Sequence, residues 1–129
     1  MSTRRPSKRL LVFASLTAFA LALFATRAST RATGPQTVVV TITPGNAPTV
    51  SPDPVQISKS AGDQVEWECP DCTNGFAVHF PQGTPFDSSS FNKANPNSGA
   101  VRGNAATHLY HYTVTVNGHT ADPGVQVNP

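Results

Sequence analysis

Methionine occurs once in this chain, at the initiator position, and cysteine only twice, at Cys69 and Cys72. No thioether is therefore available to a metal past Met1, and the single CxxC lacks the second pair of ligands that zinc sites of this type usually have. Charge is scarce and unevenly placed. Six of the nine basic residues (Arg4, Arg5, Lys8, Arg9, Arg27 and Arg31) precede Thr33, and all seven acidic residues follow it. From Thr33 onward only Lys59, Lys93 and Arg102 stand against those seven carboxylates, a balance of −4. Nucleic acid needs a basic footprint that is missing here, so it is not an expected partner. A basic partner or a cation is permitted by the sign of the charge. Enzyme signatures are also lacking. No serine sits in a G-x-S-x-G elbow, and Glu66 and Glu68 share one face of a strand instead of flanking a cleft, so they read as solubilising charge and not as an acid–base pair. The chain is expected not to be an enzyme.

What is present begins with an N-terminal segment of recognisable order. A basic head is followed by the uncharged, mostly apolar run Leu10 to Ala25 and then by small residues. That is the layout of a secretory signal peptide, and the run is short of the ~20 residues of a spanning helix. Residues 1–32 are expected to be removed, with cleavage after Ala25, Ala28 or Ala32, leaving a single domain, 33–129, that is secreted or periplasmic. No cysteine lies near these positions to carry a lipid, so no membrane association is expected after removal.

The exported part reads as short strands punctuated by turns. Val38 to Thr43 is β-branched throughout. Prolines at 48, 52 and 54 exclude helix, and Val55 and Ile57 alternate with polar neighbours as in a short edge strand. In Gln64 to Cys69, Val65, Trp67 and Cys69 share one face; in Phe76 to Phe80, Phe76, Val78 and Phe80 do. Tyr110, Tyr112, Val114 and Val116 alternate with polar residues up to Asn117-Gly118, a strong hairpin turn signal. Asp122-Pro123-Gly124 then re-aims the chain into Val125 to Val127. Pro81 to Asn104 is expected to be a long loop folded over one edge and anchored by Phe86 and Phe91, with a short helical turn near Ser88 to Lys93 and a strand beginning at Val101. An all-β sandwich or Greek-key barrel follows.

Three segments together resemble the cupredoxins, the sandwich family of plastocyanin and azurin. Gly62-Asp63-Gln64-Val65-Glu66-Trp67 is similar to the family's G-D-x-V-x-W strand, and Phe76-Ala77-Val78-His79-Phe80 to its H-N-V-x-F strand. Tyr110-x-Tyr112-x-Val114, followed by Gly118-His119, is similar to its Y-x-F-x-C-x-x-P-G-H strand and turn. The resemblance covers about ninety residues and implies a cupredoxin-like fold. It places the family's first histidine on Phe76, its cysteine on Val114 and its second histidine on His119, with no methionine in Ala121 to Gly124 for the axial position. A blue-copper site is a two-histidine, one-cysteine arrangement. Without that thiolate the resemblance implies the fold and not copper electron transfer.

The remaining candidates are few. Cys69-Pro70-Asp71-Cys72 reads as a disulfide, which an exported compartment favours; a redox dithiol and a metal-binding pair are the alternatives. Of the four histidines, His79, His108, His111 and His119, the reading as solvated side chains competes with a weak copper or zinc site formed by some of His119, His79, Cys69 and Cys72. The expected protein is thus a non-enzymatic binding or structural module without a cofactor, with a copper- or zinc-binding storage or delivery protein as the alternative. Its partner is an unknown extracytoplasmic protein or small ligand, met by the loops at Cys69 to Gly75, Pro81 to Asn104 and Asn117 to Asp122.

Overall fold

The computed structural model describes residues 34–129. The expected signal peptide and its cleavage positions at Ala25, Ala28 and Ala32 lie outside the described residues. Among the described residues every regular element is a strand. They are β1 (Thr37–Thr43), β2 (Thr49–Ser51), β3 (Val55–Ser58), β4 (Gln64–Glu68), β5 (Ala77–His79), β6 (Ser90–Asn92), β7 (Asn97–Ala100), β8 (Leu109–His111), β9 (Thr113–Val116), β10 (His119–Ala121) and β11 (Gly124–Asn128). No helix among the described residues is long and apolar enough to cross a membrane.

One layer has the order β2-β1-β4-β7. β1 runs parallel to β4, with Val40 opposite Trp67, while β2 and β7 flank them antiparallel. The other layer consists of two hydrogen-bonded groups, β10-β9-β5-β6 and β3-β11-β8. These are joined through a single long hairpin. Ala121 opposes Val114 and, on the far side of an interruption, Gly124 opposes His111, so the register does not slip. The interruption falls at Pro123, which has no N–H to give to a ladder; its carbonyl still accepts the Tyr112 N–H at 3.0 Å. Two parallel pairs, β1 with β4 and β3 with β11, exclude a simple up-and-down meander.

Alternation decides which side chains meet between the layers. Val40, Ile42, Val65 and Trp67 point inward from one layer, and Val78, Phe91, Tyr112, Val114, Val125 and Val127 from the other, in one buried cluster. Trp67 is its centre. Its ring stacks on Phe91 at 5.0 Å between centroids and meets Tyr112 edge-on at 5.5 Å. Phe80 and Phe86 complete the group around it.

The hairpin tip is as the sequence predicts: Asn117 has φ 51° and Gly118 φ 83°, the positive pair that a two-residue turn matching strand twist requires. Two expectations for Pro81 to Asn104 are corrected. The turn expected at Ser88 to Lys93 is strand β6, which pairs with β5 and carries Phe91 into the core opposite Val78. The strand expected to begin at Val101 is β7, which has ended by Ala100. β7 lies along β4 with a register shift, and there the buried Ser98 hydroxyl takes the Val65 N–H at 2.8 Å in place of a backbone carbonyl.

Side chains outside the sheets close the end of the sandwich opposite the hairpin tip. The Asp63 carboxylate accepts the backbone N–H groups of Gln36 at 3.0 Å and Ser58 at 2.9 Å. Lys59 donates to the Ala105 carbonyl, and Arg102 to the carbonyls of Phe86 and Thr84. Two of the three cations after Thr33 are thus engaged with backbone.

Candidate functional site

The strand directions gather one set of loops at one end. β4 runs out at Glu68 and leads into the Cys69–Cys72 turn, and β5 starts from that turn. The β9–β10 tip at Asn117 and the hairpin between β6 and β7 lie at the same end. Cys69 and Cys72 form a disulfide, with Cα atoms 5.4 Å apart. The Asn74 amide reaches the Asn117 side-chain oxygen at 3.5 Å and links the disulfide loop to the hairpin tip. The third loop is held from within: Asn92 Oδ1 accepts the N–H groups of Ala94 and Asn95 at 2.9 and 3.0 Å. Gly75, at φ +81°, runs beneath the Lys93 side chain, close enough that a Cβ would lie 3.6 Å from the Lys93 Cβ. Only part of the Pro81 to Asn104 stretch belongs to this end, because Pro81 to Ser89 and Val101 to Asn104 lie toward the other ends of β5 and β7.

A cleft of about 360 Å³ opens here, lined by Glu66, Trp67, Glu68, Cys69, Pro70, Phe76, Lys93 and Pro96. Its origin is the mismatch in length between two neighbours. The Trp67 N–H bonds the Pro96 carbonyl at 3.0 Å, and β7 begins only at Asn97, so the β4 edge past Trp67 faces an opening instead of a strand. The disulfide turn with Pro70 forms one wall, and Lys93 and Pro96 form the other. Glu66 and Glu68 point outward from β4, on the face opposite Val65 and Trp67. Glu66 accepts the Asn97 amide at 3.4 Å and Glu68 the Thr41 hydroxyl at 3.2 Å, each through one oxygen.

A second cleft, of about 350 Å³, lies where β5 leaves the sheet, lined by Pro81, Gln82, His111, Tyr112, Thr113 and Asp122. Thr113 donates to Asp122 at 3.2 Å. Beneath it Tyr112 is fully buried, and its hydroxyl and the Trp67 indole nitrogen both lack a hydrogen bond of normal geometry. Burial pushes the Tyr112 hydroxyl well above the usual phenol range; the neighbouring Trp67 indole N–H pulls it part of the way back and the Asp53 carboxylate pushes it further up.

The copper positions implied by the resemblance do not fit the metal. Phe76 is buried against the core, and Val114 is wholly buried between Val78 on β5 and Ala121 on β10. Only His119 carries a donor, exposed at the start of β10. The alternative ligand set is not assembled either. Both sulfurs are in the disulfide, so neither is a thiolate ligand. His79 lies opposite Thr113 and bonds Ser90 at 3.0 Å, while His119 lies opposite Val116. That is three residues further along β9, about 10 Å, and on its other side. His108 stacks on Tyr110 at 4.1 Å. Among the described residues no group of three or more His, Cys, Asp or Glu side chains is placed to hold a metal ion.

The cleft beside the disulfide is the feature the sequence reading passed over. Glu66 and Glu68 read there as a solvated face. The signal was their position, alternating on the strand that leads directly into Cys69-Pro70. Neither a protein-family model, nor a curated protein, nor a solved structure matches this chain.

Proposed function

We propose that this chain is an exported, non-enzymatic binding or structural module of cupredoxin-like, Greek-key form that has no blue-copper centre, and that it meets its partner with the end carrying the disulfide. The observation that carries this reading is the filling of that end with hydrocarbon where the resemblance requires donors. Phe76 and Val114 occupy two of the ligand positions, and both are part of the core. The same end has a loop closed on itself by the disulfide and linked to the hairpin tip by an Asn–Asn bond, beside a third loop capped from within by Asn92. Loops held rigidly at one end of a sandwich are where such folds place recognition. The disulfide is compatible with export.

A photo-crosslinking residue placed at Asn117 or Asp71 tests the partner-binding reading, with Ala106 at the opposite end as control. Discrete adducts from the first two positions and none from Ala106 are expected in the source cell. Equal labelling from all three, or none from Asn117 and Asp71, would overturn it. Native mass spectrometry after added copper addresses the competing copper- or zinc-storage reading through His119, His79, Cys69 and Cys72. The expected spectrum has an oxidised cysteine pair and no stoichiometric metal; one tightly held ion per chain would favour storage.

A further inference from the structure

We propose that the cleft between the disulfide turn and the Lys93–Pro96 hairpin receives an arginine or lysine side chain from an extended segment of a partner protein. This rests on the binding-module reading above and names the partner's chemistry. Three features carry it. The cleft is walled by Pro70, Pro96, Phe76 and the disulfide, which offer apolar surface to the methylene stem of a long cationic side chain. Its carboxylates outnumber its cation, Glu66 and Glu68 against Lys93, so the charged head of a basic side chain is favoured over an acidic one. The domain has a balance of −4 from Thr33 onward, which attracts a basic partner to the domain as a whole.

The walls are also set before any partner arrives. The disulfide fixes one, and the Asn92-capped turn resting on Gly75 fixes the other. A site already in its bound shape loses little conformational entropy on binding.

Lys93 gives the proposal a sign that other ligands would reverse. A basic side chain is repelled by Lys93, so Lys93→Gln should tighten its binding. A zwitterion or a chain-terminal carboxylate would pair with Lys93 and be weakened by the same change. The probes are the capped peptide acetyl-Leu-Arg-Leu-amide and its counterpart with citrulline, which keeps the shape of arginine and removes its charge. Binding is followed through backbone amide shifts of the protein, purified as its cell processes it.

The arginine peptide is expected to shift the amides of Glu66, Glu68, Cys69, Gly75 and Lys93 in a saturable way. The citrulline peptide should bind about fivefold more weakly, as should the arginine peptide to the Glu66→Gln/Glu68→Gln protein; Lys93→Gln should bind about twofold more tightly, in keeping with exposed ion pairs of ~0.2–1 kcal/mol. Both variants alter side chains outside the buried core, and unchanged amide positions elsewhere verify this. Equal binding of the citrulline peptide, weaker binding by Lys93→Gln, or no shifts in the cleft would overturn the proposal. Any of these together with crosslinks from Asn117 and Asp71 would leave the binding module standing with another partner chemistry. Absence of those crosslinks would overturn the module itself.

Discussion

Replacing Tyr112 by phenylalanine should stabilise this protein. Tyr112 sits where β8 passes into β9, with its ring 5.2 Å from Phe80 and 5.5 Å from Trp67. The ring is needed there, but the hydroxyl is not: it is buried without a hydrogen bond of normal geometry. An unsatisfied buried hydroxyl costs about 1–3 kcal/mol in lost hydration. Removing it forfeits a few dispersion contacts, each worth ~0.1–0.2 kcal/mol. The net expectation is a gain of about 1 kcal/mol, or roughly 4–8 °C in Tm for a domain of this size. Urea and thermal unfolding at pH 7 measure it. The pH dependence gives a second, independent sign. Burial raises the folded-state pKa of Tyr112 above the unfolded value, so its contribution is fully present below about pH 10 and is lost as pH rises toward the folded value. The parent should therefore lose up to ~1.4 kcal/mol per pH unit above pH 10 that Tyr112→Phe does not lose. All other groups are common to both proteins, so the difference isolates this hydroxyl. A loss of more than ~0.5 kcal/mol at pH 7 would refute the reasoning. It would mean that the hydroxyl has a partner, such as a buried water shared with the Trp67 N–H.

Asp63→Asn removes a carboxylate that accepts two backbone N–H groups and ties Gln36 to the turn after β3. The amide can accept only one of them, and a loss of about 1–2 kcal/mol is expected by urea unfolding, with faster hydrogen exchange at Gln36 and Ser58. Serine at both Cys69 and Cys72 should cost about 2 kcal/mol or less, since a bridge across a sequence separation of 3 closes a very small loop. The domain should remain folded by near-ultraviolet circular dichroism, and complete unfolding would show that the turn anchors the core.

The strands legible in the sequence are those whose alternation is strong by itself. β4 and β5 carry an apolar residue at every second position, and the Tyr110 to Val116 run does the same up to an Asn-Gly turn. β6, β7 and β10 read Ser-Phe-Asn, Asn-Ser-Gly-Ala and His-Thr-Ala, which have no such signature. They are strands because β5, β4 and β9 offer them unpaired backbone. For β6 and β7 the conformation comes from a neighbour distant in sequence, which single-segment preference does not contain, whereas β10 is placed by the two-residue Asn117-Gly118 turn after β9. The helical turn expected at Ser88 to Lys93 failed for this reason: placing Phe91 against Trp67 beside β5 outweighs any local preference of serines and asparagine.

The candidate site follows the same division. The Cys69–Cys72 pairing was legible because both partners lie within one turn. The cleft was not, because it is a difference in length between strands paired across some thirty residues: β4 continues to Glu68 while β7 has not yet begun. Trp67 explains why that difference persists. Its N–H holds Pro96 at the last shared position, and its ring holds Phe91, which fixes where the β6–β7 hairpin can turn. Lengthening β7 toward Lys93 would close the opening only by pulling Phe91 off the indole. The residue that centres the core therefore also keeps the cleft open, and Glu66 and Glu68 take their place at its mouth because they alternate with that same tryptophan.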